Sequence, residues 1–384
     1  MLFQDKFQLR IPGPTPIPPQ VQMALTQPMI GHRSTTASTL IETCSEGLKH
    51  IFGTQESPLI LTSSGTAALE AAAINALMPG DEAIVIVTGA FGDRFAKILK
   101  RYQIKVHRLE IPWGHACDPH QIQTFLEAHP QTSAVFMTYC ETSTGVLNPI
   151  SLLARTIRQQ SDALIIVDAV SCLGAVPSLV DQWGIDIMVS GSQKALMLPP
   201  GLAFVTVSQR AWPIIEQNPT PRFYLDLHAY RKQLENQTTP YTPALNLLFG
   251  LEAALTQIET EGLPQVFTRH QTLKRMTRAG LEAIGFELMT SERDASPTVT
   301  SVSGHKQAIH TEQLRSLLKE MHVHVAGGQQ HMKGKIFRIG HMGYCDGFDI
   351  LTTLAAIEMA LTKMGITIEL GSSVRTAQEV WIHA

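Results

Sequence analysis

Seven short apolar runs within the first 210 residues constrain the fold of this chain more than any other feature. They are PLILT (58–62), AIVIVTG (83–89), IKVHRLE (104–110), SAVFMTY (133–139), ALIIVDA (163–169), IDIMVSG (185–191) and LAFVTVS (202–208). Many are continuously apolar rather than alternating, the pattern of strands covered on both faces. Helix-compatible segments lie between several of them, at 66–77, 92–101, 119–128 and 149–160, and another runs over Leu40–Phe52. Strands alternating with helices predict an α/β fold whose mostly parallel, seven-stranded sheet is flanked by helices. No full helix fits within Val176–Gly184, so a change of strand direction is expected before the sixth run.

The remainder of the chain reads differently. IPGPTPIPP (11–19) is too rich in proline for helix or central strand and reads as an extended arm. Residues 246–284 read as one or two long helices, broken near Gly262-Leu263-Pro264. From about 285 to 384, strand signals (SPTVTSVS, VHVAGG, KIFRIGHMG) and helices at 311–321 and 347–364 suit a small α+β domain. The tail after Gly371 is expected to be loosely held. The expected division is an arm at 1–20, a large domain at 21–258 and a small C-terminal domain at 259–384.

Composition excludes several function classes. A 44% hydrophobic and 16% charged chain carries ample core and too little charge for disorder. A net charge of −3 gives no electrostatic reason to expect nucleic acid or an anionic membrane as partner. No stretch approaches a transmembrane helix, and the opening MLFQDKFQLRIPGPTPIP lacks the uninterrupted apolar region of a secretory leader. Five scattered cysteines without a C-x-x-C pair read as reduced thiols, and the expected location is cytoplasmic. The 15 histidines form no H-E-x-x-H or other compact ligand set, so no metal site is expected. His322 and His324 read as packing or surface residues.

Three features could carry chemistry. In LTSSGTAALEAAAINAL (61–77) a strand ends in the small turn Ser63-Ser64-Gly65-Thr66 and a helix begins at once. Unpaired N–H groups and the positive dipole end make such a helix start an anion site, with Ser64 and Thr66 as further donors and Gly65 allowing close approach. An ordinary capped strand–turn–helix has the same look. Asp168 ends the buried run ALIIVD, facing the crevice where α/β proteins bind ligands, or else merely capping a turn. Lys194 follows Ser190-Gly191-Ser192-Gln193 among apolar neighbours and the rigid Pro199-Pro200-Gly201. Burial lowers the pKa of a lysine and makes it a nucleophile, although most lysines are surface charges. Together, a phosphate cradle, an imine-forming lysine and an aspartate on one crevice are what pyridoxal phosphate requires.

At this point the sequence resembles a known family. PGPTPIP (12–18), GHRS (31–34), SSGTAALE (63–70), GAFGDR (89–94), ETSTG (141–145), IIVDAVSCLG (165–174), SGSQKAL (190–196), TPALN (242–246) and FRIGHMG (337–343) occur in one order over nearly the whole chain. The chain is similar to class V, fold type I aminotransferases of the alanine–glyoxylate and serine–glyoxylate (serine–pyruvate) group. The resemblance implies that Lys194 forms the Schiff base with pyridoxal 5'-phosphate and that Asp168 pairs with its ring nitrogen. It implies that Ser64, Gly65, Thr66 and Gln193 hold phosphate, that Phe91 stacks on the ring, and that Thr142 lies near the ring oxygen. Some relatives have tryptophan where Phe91 stands. Arg338 corresponds to the arginine that grips the substrate carboxylate, a task suited to its planar fork. The neighbouring subunit of an obligate homodimer is expected to complete the phosphate site through Thr239 and Thr242, with Tyr241 open as an alternative to Thr239. A substrate-pocket role for His32 is left open.

The implied reaction is ping-pong transamination from a small amino acid, alanine or serine, to a 2-oxo acid such as glyoxylate or pyruvate (EC 2.6.1.-). Lys194 would move the proton. The alternatives are an aspartate-type or other class V enzyme, a cofactor-binding scaffold without activity, and a soluble hydrogenase subunit without its own metal site. A cysteine desulfurase is disfavoured, since no cysteine stands between Cys172 and Cys345. Isolated cysteines likewise offer no ligand set for nickel–iron or iron–sulfur chemistry.

Overall fold

The computed structural model describes residues 7–384 and places all seven apolar runs in one sheet. The first strand, β1 (Gln8–Arg10), belongs to a second, smaller sheet. The large sheet starts with β2 (Leu59–Ser63), β3 (Glu82–Val87), β4 (Lys105–Glu110) and β5 (Thr132–Thr138). After a short hairpin of β6 (Cys140–Glu141) and β7 (Val146–Leu147) it continues with β8 (Leu164–Asp168), β9 (Ile187–Gly191) and β10 (Gly201–Val207). The order across it is β2-β10-β9-β8-β5-β3-β4.

The direction change lies one strand later than the sequence suggested. β8 and β9 pair in parallel, whereas β10 runs antiparallel to both β9 and β2. The 169–186 connection holds only one turn of helix, yet that suffices to recross the sheet. The buried Asp186 then fixes the parallel start of β9: its N–H donates to Ile165 O (2.9 Å) and its carboxylate accepts Ile165 N–H (2.8 Å).

Alternate side chains of a strand point to opposite faces, and here both sets are apolar. Ile84 and Ile86 enter one core; Ala83, Val85 and Val87 enter the other. Helices must therefore cover both sides. A short first helix, α1 (Pro19–Ala24), and α2 (Thr35–Phe52) lie on the first face. The opposite face is covered by α3 (Gly65–Ala76) and α4 (Ala90–Arg101), where Phe95 meets Phe136 edge-on at 5.1 Å. The first face is completed by α5 (Pro119–Ala128), α6 (Ile150–Gln160) and α7 (Val180–Trp183). Then follow α8 (Trp212–Gln217) and α9 (Leu227–Leu234) on the α3 side. The long α10 (Leu245–Glu261) lies against α2.

A break at Gly262 (φ +84) separates α10 from α11 (Leu263–Ala283), whose second residue is Pro264. Beyond it, β11 (Phe286–Leu288), β12 (Val299–His305), β13 (Val323–Gly327) and β14 (Phe337–Gly340) form the smaller sheet, with α12 (Thr311–Glu320) inserted. β1 completes this sheet by pairing in parallel with Val323–Val325. The proline-rich segment thus leaves the small sheet and runs to the large one. The tail is not loose: after α13 (Gly347–Lys363), α14 (Ser372–Ile382) packs on α11 and α13 with Ser373 and Ala377 fully buried. Glu358 holds its start, accepting from Gly371 N–H (2.6 Å) and Ser373 N–H (2.8 Å). That long-range anchor has no local sequence signature.

Candidate active site

Apart from β10, the described strands of the large sheet run in one direction, so β2, β3, β5, β8 and β9 all end on one edge. Crevices at that edge are where open α/β sheets bind ligands. Ser64, extended at the end of β2, caps α3 by accepting Ala67 N–H at 3.3 Å. Gly65 follows as the first helical residue. Its missing side chain is required, since a Cβ there would lie 2.9 Å from Val170 Cγ2. A Cβ on Gly191 would stand 3.5 Å from the Gly65 nitrogen, which puts the end of β9 directly beside the start of α3. Thr66 Oγ1 accepts from Arg94 (3.3 Å), and the Arg94 guanidinium lies 4.6 Å from the centre of the Phe91 ring.

Gln193 and Lys194 occupy the tight turn after β9. Gln193 Oε1 is buried without a hydrogen-bond partner. A Cβ on Gly191 would lie 3.1 Å from that oxygen, so the amide sits beside the start of α3. The Lys194 ammonium donates to Pro12 O. Thr15 holds the lysine backbone, its hydroxyl donating to Lys194 O (2.9 Å). Gly13 lies over the side chain so closely that a Cβ would meet Lys194 Cδ at 2.5 Å. Burial lowers the Lys194 amine from 10.5 to about 8; Cys140 and Asp168 oppose this, and Arg338 and Arg94 reinforce it.

Asp168 is buried at the end of β8, with Oδ1 accepting Val170 N–H at 2.9 Å. Burial raises its carboxyl to about 6 against that bond. Thr142, also buried, donates to Ser171 Oγ (2.5 Å), three residues beyond Asp168. Its carbonyl accepts from Arg338 Nη1 (2.9 Å). Arg338 rises from β14 of the small sheet, and its Nε and Nη2 both donate to Gly327 O (2.9 and 2.8 Å). Three of the five guanidinium N–H groups are thereby committed to the backbone, which fixes the fork and leaves two others. Burial lowers its pKa to about 10, with Glu141 opposing.

The cluster thus joins Ser64, Gly65, Thr66, Phe91, Thr142, Asp168, Gln193, Lys194 and Arg338. Thr239 and Thr242 lie in the segment before α10, which reaches the end of β2 where Ala244 N–H donates to Thr62 Oγ1 (2.9 Å). Thr239 Oγ1 donates to Tyr241 O (2.6 Å), Arg33 donates to Thr239 O (2.6 Å), and Thr242 is exposed. Tyr241 stacks on Tyr224 at 4.9 Å, and Tyr224 donates to Thr62 O (2.9 Å). His32 is half-buried in the turn before α2. His324 meets Phe7 edge-on at 5.7 Å. Among the described residues, no group of His, Cys, Asp and Glu could hold a metal ion, and no helix is long and apolar enough to cross a membrane.

Sequence reasoning missed Gly13, Thr15, Arg94 and Glu141. All lie inside motifs already recognised, and Glu141 had a visible signal as the one acid in ETSTG. Its carboxylate is buried and accepts Phe91 N–H (3.0 Å) and Gly92 N–H (3.1 Å) at the start of α4.

Comparison with known proteins agrees with this geometry. The sequence model of the aminotransferase class-V family matches residues 13–344. The soluble hydrogenase small subunit of a Synechococcus species is 44% identical, over 95% of each chain. The L-aspartate–glyoxylate aminotransferase of Paracoccus denitrificans is 34% identical, over 96% of this chain and 94% of its own. Among solved structures, the ureidoglycine–glyoxylate aminotransferase of Bacillus subtilis superposes with a TM-score of 0.92 at 29% identity, covering 99% of each chain. The family match, the related sequences and the shared fold agree: the chain belongs to the class-V aminotransferases, enzymes of fold type I that depend on pyridoxal phosphate.

Proposed function

We propose that this chain transfers the amino group of a small amino acid, alanine or serine, to a 2-oxo acid such as glyoxylate or pyruvate, with Lys194 at the centre of the site. The observation that carries the reading is the convergence of Lys194, Asp168 and Arg338 on one sheet edge: Asp168 and Lys194 follow the paired strands β8 and β9, and Arg338 is anchored on Thr142, whose hydroxyl reaches Ser171 just after Asp168.

The residues fit the cofactor. The N-terminus of α3, with the Ser64 and Thr66 hydroxyls and the backbone of Gly65 and Gly191 close by, suits a phosphate, and the unpartnered Gln193 amide beside it would turn its NH2 group toward that anion. When bound, pyridoxal phosphate supplies an aldehyde to carry the amino group and a ring that withdraws electrons from the substrate Cα. Lys194 would hold the cofactor's aldehyde carbon through Nζ. An amine lowered to about 8 is partly neutral near neutral pH, as a nucleophile and proton carrier must be. With an amino donor bound, Nζ would be free to take the substrate Cα proton and deliver it to the former aldehyde carbon, the transfer that transamination requires. Asp168 would hold a proton on the ring nitrogen as its counter-charge, Phe91 would pack on the ring face, and Thr142 would border the ring oxygen. Arg338 binds the substrate carboxylate with its two free N–H groups and so orients Cα toward Nζ.

Thr239 and Thr242, with Tyr241 as the alternative to Thr239, serve the phosphate site of a partner subunit in a homodimer. The exposure of Thr242, which leaves its side chain open to a neighbouring chain, supports this. The large and small domains meet near residue 258, and the enzyme works in the cytoplasm. A panel of alanine, serine and aspartate against glyoxylate, pyruvate and 2-oxoglutarate tests the substrate reading. It holds if alanine or serine with glyoxylate or pyruvate gives the highest kcat/KM, and it fails if aspartate or 2-oxoglutarate does.

A further inference from the structure

We propose that Glu141 is a positioning residue that ties the start of α4, and with it Phe91, to the turn that anchors Arg338. The stacking ring and the carboxylate clamp then keep one fixed separation. This rests on the roles of Phe91 and Arg338 given above.

The argument starts from helix termini, whose first N–H groups have no partner within the helix. A local Ser, Thr, Asp or Asn ordinarily supplies one. Here α4 begins after Gly89, which has no side chain to offer. The space a capping side chain would fill is occupied, since a Cβ on Gly89 would lie 2.5 Å from Glu141 Cγ and Cδ and 2.4 Å from Ser143 Oγ. The cap comes from 50 residues further along the chain. Glu141 Oε2 accepts Phe91 N–H (3.0 Å) and Gly92 N–H (3.1 Å), and Ser143 Oγ accepts Ala90 N–H (2.9 Å). Glu141 Oε1 in turn accepts from Ser143 N–H (3.1 Å) and Ser143 Oγ (2.5 Å). Every partner is a donor, so the pocket matches a carboxylate and complements the helix dipole. Burial pushes the Glu141 carboxyl up, and these donors pull against it.

The same turn faces the substrate side. Glu141 O accepts Gly145 N–H (2.9 Å), which closes the turn around Thr142. Thr142 O is the anchor of Arg338 Nη1 (2.9 Å), and Thr142 Oγ1 reaches Ser171 (2.5 Å). One buried residue therefore joins the ring-stacking helix, the arginine clamp and the segment after Asp168. Its negative charge also favours the cation of Arg338 and disfavours the anion of Asp168.

The test is Glu141→Gln in the purified enzyme. Glutamine keeps the size and one acceptor but turns an NH2 group toward buried N–H donors. Apoprotein titrated with pyridoxal phosphate is expected to bind it about tenfold more weakly or worse, since a buried donor loses its partner. The circular dichroism band of the bound cofactor is expected to shrink, and KM for both substrates to rise about tenfold while kcat changes less. Ser143→Ala, which removes one hydroxyl only, is expected to shift the same quantities about threefold and serves if the glutamine variant does not fold. Cofactor affinity, dichroism and KM all within twofold of wild type, with only thermal stability lowered, would reduce Glu141 to a helix cap and overturn the proposal. Phe91→Leu and Arg338→Lys run in parallel. If neither alters cofactor affinity or KM, the underlying site reading fails; if they do and Glu141→Gln does not, only this inference fails.

Discussion

Acidification from pH 7.5 to pH 5.5 is expected to weaken the fold through two fully buried imidazoles, His270 and His341. His270 Nδ1 lies 2.7 Å from Val266 O and so must carry its proton, which leaves Nε2 to accept Gly343 N–H at 3.1 Å. His341 is locked alike, with Nδ1 on Pro297 O and Nε2 accepting from Thr300 Oγ1, both at 2.9 Å. A second proton on His270 would face a backbone N–H that cannot turn away. Burial lowers both groups from 6.5 to about 3. The unfolded chain therefore binds more protons than the folded one, so the stability is present above about pH 6.5 and lost as pH falls toward 3. One unit below the ordinary value each group costs about 1.4 kcal/mol, and the pair about 2.8 kcal/mol. Asp168, raised to about 6, takes its proton earlier when folded and restores about 0.8 kcal/mol at pH 5.5; Glu141 acts in the same sense. The difference between wild type and His270→Gln isolates one imidazole, because glutamine keeps an acceptor near Gly343 N–H and does not titrate. Urea unfolding of the apoproteins at both pH values, followed by tryptophan fluorescence, is expected to show the variant losing about 1.4 kcal/mol less than wild type. Equal losses would refute the assignment of His270 as a buried neutral imidazole.

Two further outcomes follow from the contacts of the site. Gly13→Ala places a Cβ 2.5 Å from Lys194 Cδ at a φ of +113, so turnover is expected to fall by about a hundredfold or more, with weakened cofactor absorbance; unchanged kinetics would remove Gly13 from the site. Arg338→Lys loses the planar fork held by Gly327 and Thr142, and kcat/KM is expected to drop about 10- to 100-fold, mostly through KM; an effect confined to kcat would argue against carboxylate binding.

The fold was legible wherever local pattern and tertiary role coincide. Continuously apolar runs such as Ile165–Val167 became buried strands because both sheet faces are covered, and the Ser64 turn became a helix cap because serine caps locally. What escaped was set by distant partners. Asp186 binds β8 and β9 in parallel through Ile165, and Glu358 stitches down α14; neither bond is visible in a local window. The site divides in the same way. Asp168 and Lys194 stand out because an ionisable residue at the end of an apolar strand is anomalous. Gly13 matters only because Lys194 lies beneath it, 181 residues away in sequence (194 minus 13). Glu141 matters only because Gly89 has no side chain with which to cap α4.

The central claim, that Lys194 carries the cofactor for transamination, has a direct test. The enzyme loaded with pyridoxal phosphate is reduced with borohydride, digested and analysed by mass spectrometry. The account predicts the cofactor mass on the peptide containing Ser192-Gln193-Lys194, and no such mass in Lys194→Ala, which is expected to show no turnover. Attachment to a different lysine, or normal transamination by Lys194→Ala, would contradict it.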